Sequence, residues 1–282
     1  MKAKLFGRLI SSGLLVVAMA FTTSCEKGSL DPDSEQIVSI IDVAWDGITT
    51  VNEGNLKSTL VETPDLSDTE LAILLNMKEE EKLARDVYTF LYQQWGSPIF
   101  LHIAKAEDRH MNAVLILLKY YDSPDTLVAD TGVFTIPEIQ ALYDELTAKG
   151  SVSTEEAYMT GALIEEMDIK DLNEGLDAVT NENILRVFEN LLKGSRNHLR
   201  AFNRQIVNLG LVYTPIYISQ EDYNDIVNTQ MEQGLRYKVQ NQGMHHRNGL
   251  SNGQHGGQCD GSGQQDNGDH GNGQGKGNGG RG

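Results

Sequence analysis

The stretch that decides the fold is residues 67–118, SDTELAILLNMKEEEKLARDVYTFLYQQWGSPIFLHIAKAEDRHMNAVLILL. Its first four residues, Ser67 to Glu70, have the form of a capping box, which begins a helix. Gly96 interrupts the helical pattern, and Ser97-Pro98 places a capping residue before a proline at the first helical position. The stretch therefore predicts one long helix to about Trp95, a tight turn, and a second long helix to about Tyr121.

The rest of the chain repeats this arrangement after a connection of about thirty residues. The connection contains a short helix from Thr135 to Gly150. Serine, threonine and asparagine caps then predict a third long helix from Ser153 or Thr154 to about Val179 and a fourth from Asn181 to about Leu209. A last short helix is expected from Ser219 to about Gln233. Two helical hairpins joined by a long crossover are typical of an all-α protein with a ferritin-like four-helix bundle.

Glu81 lies in the middle of an apolar stripe on the first long helix. The stripe advances in steps of three and four residues through Leu74, Met77, Ala84, Tyr88, Leu91 and Trp95. A lone buried carboxylate is costly unless it is paired or bound to a cation. Glu80 is an alternative, because it shares a neighbouring stripe with other apolar residues. The pattern therefore marks Glu81 as a candidate metal ligand, with Glu80 as its rival.

A short internal repeat indicates a matching carboxylate on the third long helix. EKLARDV, which starts at Glu81, resembles EMDIKDL, which starts at Glu166. Glu166 also falls on an apolar stripe, and the adjacent Glu165 is its close rival. The repeat therefore favours Glu166 as the second candidate, with Glu165 as the alternative.

The second and fourth long helices add histidines to this set. Glu107 and His110 are spaced i, i+3 and so share one helix face. His198 lies on the fourth helix, with Ser195 three residues before it. At about 1.5 Å of rise per residue, the candidate residues lie at depths that agree within about a turn and a half. The candidate metal set is therefore Glu81, Glu107, His110, Glu166 and His198, although His198 alone could equally be a hydrogen-bonded core histidine.

From about Leu71 to Gln233 the chain resembles the ferritin-like family known as DUF2202. The matching stretches span the helices and the crossover: EEEKLARDVY, EDRHMNAV, GVFTIPEIQALYDEL, GALIEEMDIKDL and ENLLKGSRNHLRAF. The wider superfamily, which includes rubrerythrin, implies a dinuclear iron or manganese site at these positions, with oxidation of ferrous iron, reduction of peroxide or activation of oxygen. The family itself implies no established activity. Ser195 departs from the superfamily pattern, which expects a glutamate there, and carboxylate with imidazole also suits zinc.

The two ends of the chain predict export and disorder. Residues 1–25 combine a basic start, an apolar run and TTSC, which resembles a lipoprotein signal whose Cys25 is lipidated; an ordinary secretory signal is the alternative. Residues 26–65 are expected to be a tether and an N-terminal segment, in which residues 36–62 could be helix or strand. Residues 66–235 form the expected domain. Residues 236–282 are expected to be a disordered tail, since 15 of the last 42 residues are glycine.

The charge excludes some partners. The chain has 23 Lys and Arg against 40 Asp and Glu, a net charge of −17. Such an acidic surface argues against nucleic acid and against an anionic membrane face, so membrane contact is expected only through the N-terminal lipid. The sequence therefore leaves two functions: a metal-dependent oxidoreductase of the bacterial cell envelope, or a non-catalytic lipoprotein that binds metal or a partner.

Overall fold

The computed structural model describes residues 36–44, 48–124 and 128–240. The predicted signal peptide with Cys25, the start of the tether, and residues 241–282 of the predicted tail lie outside these ranges. The described part is mostly helical, which confirms the predicted all-α class. In the described ranges, no helix has both the length and the apolar character needed to cross a membrane.

The N-terminal segment, left open between helix and strand, contains both. Strands β1 (Ile37–Ser39), β2 (Ile41–Val43) and β3 (Thr49–Val51) precede helix α1 (Glu53–Thr59). Strand β2 pairs with β3 in antiparallel register, Asp42 opposite Thr50. The polar side chain of Asn52 caps α1 by accepting a hydrogen bond from the Asn55 amide.

Four long helices follow the predicted caps. Helix α2 (Asp68–Trp95) begins at the Ser67–Glu70 capping box and ends at Gly96 in the left-handed conformation. Helix α3 (Pro98–Tyr120) begins with its proline. The other two are α5 (Thr154–Ala178), capped by Ser153, and α6 (Glu182–Asn208), capped by Asn181. Capping chemistry therefore placed these helix ends to within about a residue or two.

The packing of these helices determines where buried side chains meet. Helix α2 packs mainly on α3 and α5 packs mainly on α6, and the two pairs contact each other through α2 with α5 and α3 with α6. Gly161 lets α5 approach α6, because a Cβ there would lie 2.4 Å from a ring carbon of Phe202. Strand β3 lies against α3 and α6. The midpoints of the four long helices therefore surround one interior region.

Helix α4 (Pro137–Gly150), within the crossover, contacts α2 and α5. The loop before it is held by Lys82, which is fully buried and donates to Asp86 at 2.6 Å and to the backbone carbonyl of Val133 at 3.0 Å. Thr135, predicted to cap α4, instead donates its hydroxyl to Glu79 at 2.6 Å. Polar contacts therefore attach the crossover to α2. Helix-capping rules do not predict these contacts.

The C-terminal end of the described chain corrects two predicted boundaries: the last short helix ends at Asn228 and not at about Gln233, and the fold continues past residue 235. Helix α7 (Gln220–Asn228) is capped by Ser219 and is followed by strand β4 (Arg236–Lys238). Strand β4 pairs antiparallel with β1, Val38 opposite Tyr237. Residues 236–238, which composition assigned to the disordered tail, are therefore part of the fold. The reason is that strand pairing supplies backbone partners that composition cannot reveal.

Candidate metal centre

Each of the four long helices contributes at least one buried ionisable side chain to one interior cluster. Glu81 comes from α2, Glu107 and His110 from α3, Glu165 from α5 and His198 from α6, and each is at most 1% exposed. The i, i+3 spacing on α3 turns Glu107 and His110 to the same side. We call these five residues the carboxylate–histidine cluster.

Two sets of three ligand-bearing residues can be distinguished within the cluster. In the first, Nδ1 of His110 lies 2.7 Å from Oε2 of Glu107 and 3.4 Å from Oε2 of Glu81. In the second, Nδ1 of His198 lies 2.8 Å from Oε1 of Glu107 and 3.5 Å from Oε2 of Glu165. Glu107 therefore belongs to both sets and presents one oxygen to each histidine.

The donor atoms of the cluster fit a bound cation. Both carboxylate oxygens of Glu81 and of Glu107, Oε2 of Glu165, and Nδ1 of both histidines are buried without a hydrogen bond of acceptable geometry. Buried polar atoms are normally paired, so a group of this size needs a physical reason. Oxygen and imidazole donors that face one another without aligned hydrogens are what a hard or borderline cation requires.

The pKa of each ionisable group in the cluster depends strongly on the charges of the others. Burial raises the pKa of Glu81 and of Glu165 to about 7 each; the charge of Glu107 adds to this effect, and the neighbouring histidine opposes it. Burial opposes ionisation of Glu107, but the positive charges of His198 and His110 outweigh it and lower its pKa. Burial likewise opposes protonation of His110, but Glu107 and Glu81 raise its pKa to about 9. Protons can therefore occupy this cluster in place of a cation.

The structure corrects the placement of the third-helix carboxylate. Glu165, the alternative, faces Glu107 and His198, whereas Glu166 is turned towards the segment after α6. There its carboxylate accepts a hydrogen bond from the Tyr213 hydroxyl and further ones from backbone amides, the closest being Ile216 at 3.0 Å. Adjacent helical residues point about 100° apart, so only one of the two can enter the cluster. Glu166 is buried because it anchors a loop.

The alternative on α2 lies outside the cluster. Glu80 is half-buried at the surface and accepts a hydrogen bond from Asn76 at 2.6 Å. Burial, and then the charge of Asp171, raises its pKa to about 8. Of the two neighbouring glutamates, the structure therefore brings Glu81 to the interior, as the apolar stripe predicted.

Several residues that support the cluster were missed by the sequence reasoning. Tyr88, expected to be core, donates its hydroxyl to Oε1 of Glu165 at 2.6 Å. The Thr49 backbone amide on β3 contacts the far edge of the His198 ring, 3.4 Å from Nε2. Gly194 accommodates the His110 ring, because a Cβ there would lie 2.6 Å from its Cε1. The place of Tyr88 on the same apolar stripe as Glu81 was a sequence signal for its position near the cluster. No local sequence pattern predicts the contacts of Thr49 or Gly194.

Ser195 lies where a fourth carboxylate was expected. It is buried, and its hydroxyl donates to the backbone carbonyl of Leu191 at 3.3 Å. The described part of α6 therefore adds His198 to the cluster but no acidic side chain from this position. The cluster contains three carboxylates and two imidazoles.

Comparison with known proteins assigns the chain to a family. The family description "Uncharacterized protein domain (DUF2202)" matches residues 70–230. The chain is 47% identical over 179 residues to "Uncharacterized protein MJ0754" of Methanocaldococcus jannaschii, covering 63% of this chain and 96% of that protein. A crystal structure of hypothetical protein MJ0754 superimposes with a TM-score of 0.61 and 46% identity, covering 62% of this chain and all of that chain. The chain therefore belongs to the DUF2202 family.

Proposed function

We propose that this protein binds two metal ions in a ferritin-like four-helix bundle and that its centre is a non-haem dinuclear iron or manganese site. The single observation that carries the proposal is the position of Glu107, whose two carboxylate oxygens each contact a different histidine. One carboxylate between two separate donor sets is the arrangement that a bridging ligand requires. The two hairpins joined by a crossover support the ferritin-like assignment, because related carboxylate proteins use this connectivity.

Each residue has a defined role in this proposal. Glu81 and His110 would hold one ion, Glu165 and His198 would hold the other, and Glu107 would bridge them. Tyr88 orients Glu165 through its hydroxyl, as a partner behind a ligand commonly does. An iron or manganese pair, when bound, supplies one-electron redox chemistry towards oxygen, peroxide or ferrous iron. Zinc also suits the donors but would supply no redox chemistry.

The helical interior also excludes water from the cluster. All five side chains are at most 1% exposed, and strand β3 lies against α3 and α6 beside His198. In such surroundings, a carboxylate gives up its proton only when another positive charge takes the proton's place. We therefore propose that cations and protons exchange at Glu81, Glu165 and the two histidines, which would couple metal binding to pH.

The location of the protein is proposed from its sequence. The basic and apolar start of residues 1–25, ending at Cys25, supports export and lipid attachment at that cysteine in a bacterial cell envelope. The acidic composition supports metal ions, rather than nucleic acid, as its partners. Mass spectrometry of the mature chain tests this proposal: a diacylated N-terminal Cys25 supports it, and an unmodified N-terminus at another residue contradicts it.

A second function is favoured by one observation. Ser195 supplies no second bridging carboxylate, so the ions would be held by fewer negative charges than in the full four-glutamate pattern. This favours a non-catalytic protein that stores metal or uses it for structure. The two functions differ in turnover: the oxidoreductase consumes oxygen or peroxide repeatedly, and the storage or structural protein does not.

The experiment is anaerobic loading of the full-length chain with ferrous iron or Mn(II), removal of excess ions, and elemental analysis. The proposal predicts about two ions per chain, since two donor sets are present. Oxygen and peroxide consumption by the loaded protein then separates the two functions. A wild-type chain that retains no metal after this treatment contradicts both.

A further inference from the structure

The carboxylate–histidine cluster is enclosed, so a cation must cross protein to reach it. Its five side chains are 0–1% exposed. Two surface grooves lie near the helices that bear the cluster. One, between α3 and the N-terminal segment, balances Lys105 and Arg109 against Glu53 and Asp108. The other lies between α2 and α5 and is acidic. Charge alone favours the second for a cation.

The acidic groove has room for a hydrated ion. It encloses about 640 Å³ and is lined by carboxylates from both helices: Asp68, Glu80, Asp171 and Glu174. Glu80 is the immediate neighbour in sequence of the cluster residue Glu81. The groove therefore ends on the same turn of α2 that contributes to the cluster.

Asp168 lies on α5 about one turn from a cluster residue and about one turn from a groove residue. On α5, Glu165, Asp168 and Asp171 follow one another at steps of three residues and so share one side of the helix. Asp171 lines the groove and Glu165 belongs to the cluster. Burial, and then the negative charges of Glu165, Glu81, Glu107 and Glu80, raise the pKa of the Asp168 carboxyl well above its ordinary value.

The burial of these side chains increases from the groove to the cluster. Glu80 and Asp171 are half-buried, Asp168 is 7% exposed, and the cluster is 0–1% exposed. Oδ2 of Asp168 is buried without a hydrogen-bond partner. An unpaired carboxylate oxygen in the interior is costly. A passing cation would give this oxygen a partner.

We propose that divalent cations enter through the α2–α5 groove and that Asp168 is the relay between Glu80, which lines the groove, and the cluster. This inference rests on the proposed metal-binding function and adds the route. Asp168 acts on the rate of loading, not on the final content, because it belongs to neither ligand set. Lys170 opposes entry at the rim, where it pairs with Asp171 and Glu174 at 2.9 Å each.

The test measures the rate of Mn(II) uptake separately from the amount bound. The full-length chain is mixed with Mn(II), and loss of the free-ion electron paramagnetic resonance signal is followed by rapid freeze-quench. Asp168→Asn and Glu80→Gln are each expected to slow uptake about tenfold, because an amide is a weaker ligand for a passing Mn(II) ion than a carboxylate. Lys170→Gln is expected to speed it. Asp177→Asn, an exposed aspartate on α5, and Glu138→Gln, an exposed glutamate on α4, are the matched controls.

The outcomes separate this inference from the proposed function. Slow loading of Asp168→Asn and Glu80→Gln to the full wild-type content supports the route. Loading at the wild-type rate overturns it and leaves the metal centre intact. Loss of one ion per chain in Asp168→Asn also overturns it, because Asp168 would then be a ligand. A wild-type chain that takes up no Mn(II) overturns the proposed function itself, and the route with it.

Discussion

The imidazole rings of His110 and His198 lie nearly parallel, with their centroids 5.5 Å apart and their planes inclined by 18°. They come from different helices, α3 and α6, and the Nδ1 atom of each contacts a different oxygen of Glu107. Two like-charged imidazolium rings would repel each other at this separation. The shared carboxylate offsets that repulsion, and a cation bound at each Nδ1 would replace the proton there.

Glu107 should therefore matter to both ions. We expect Glu107→Gln to lose both, because the amide cannot carry the bridging charge, whereas Glu81→Gln and Glu165→Gln should each lose about one. Elemental analysis of anaerobically loaded full-length chains measures this. Equal losses in all three variants would contradict the assignment of Glu107 as the shared ligand.

Glu165 and Glu166 should separate metal binding from loop anchoring. Glu166→Gln is expected to keep its metal but to lower the free energy of unfolding by about 1.5–3 kcal/mol, the cost of losing hydrogen bonds to a buried charged acceptor. Glu165→Gln is the adjacent control: it should lose metal and keep its free energy of unfolding. Urea denaturation and metal content are measured on the same samples. Loss of metal in Glu166→Gln, with stability unchanged, would restore the sequence-based choice.

This pair also shows how far the sequence could lead. Capping residues were enough to predict the ends of the long helices, and the apolar stripe was enough to predict that Glu81 is buried. Both features depend on local sequence. The choice between Glu165 and Glu166 depends on how α5 is rotated against α2 and α6. That rotation is set by non-local packing, such as the contact of Gly161 with Phe202. The internal repeat is equally compatible with either neighbour, and it favoured Glu166, which the structure places outside the cluster.

Thr49 and β4 were beyond sequence reasoning for the same reason. Thr49 reaches His198 across 149 residues of sequence, and the β4 residue Tyr237 pairs opposite Val38. Neither segment contains a pattern that names its distant partner. Asp168, by contrast, was visible as one of several acidic residues on α5, but only its burial distinguishes it from the exposed ones.

Metal affinity should rise with pH. Protons compete for Glu81 and Glu165 below a pKa of about 7, and for His110 below about 9. Deprotonation of these groups frees the ligands, so affinity for Mn(II) should increase from about pH 6 to pH 9. Titrations at constant ionic strength with buffered free Mn(II) measure it. An affinity that is constant over this range would show that the ligands carry no displaceable protons.

Gly194 should be needed for the position of His110. Gly194→Ala places a methyl group where the ring lies, with a distance of 2.6 Å to Cε1. We expect about 1–3 kcal/mol of destabilisation from overpacking, together with loss of the ion held by His110. Gly161→Ala is the matched control: its methyl group meets Phe202 instead, so it should destabilise the fold and spare the metal. Equal metal loss in both variants would mean that Gly194→Ala loses its metal through general unfolding.

The central claim is that two ions share Glu107, and anomalous diffraction tests it most directly. Crystals of the full-length chain, loaded with Mn(II) or with ferrous iron under anaerobic conditions, would be measured on both sides of the metal absorption edge. The account predicts two anomalous peaks, one beside Glu81 and His110 and the other beside Glu165 and His198, with the Glu107 carboxylate between them. A single peak, or peaks only at Glu166 or in the surface grooves, would contradict it.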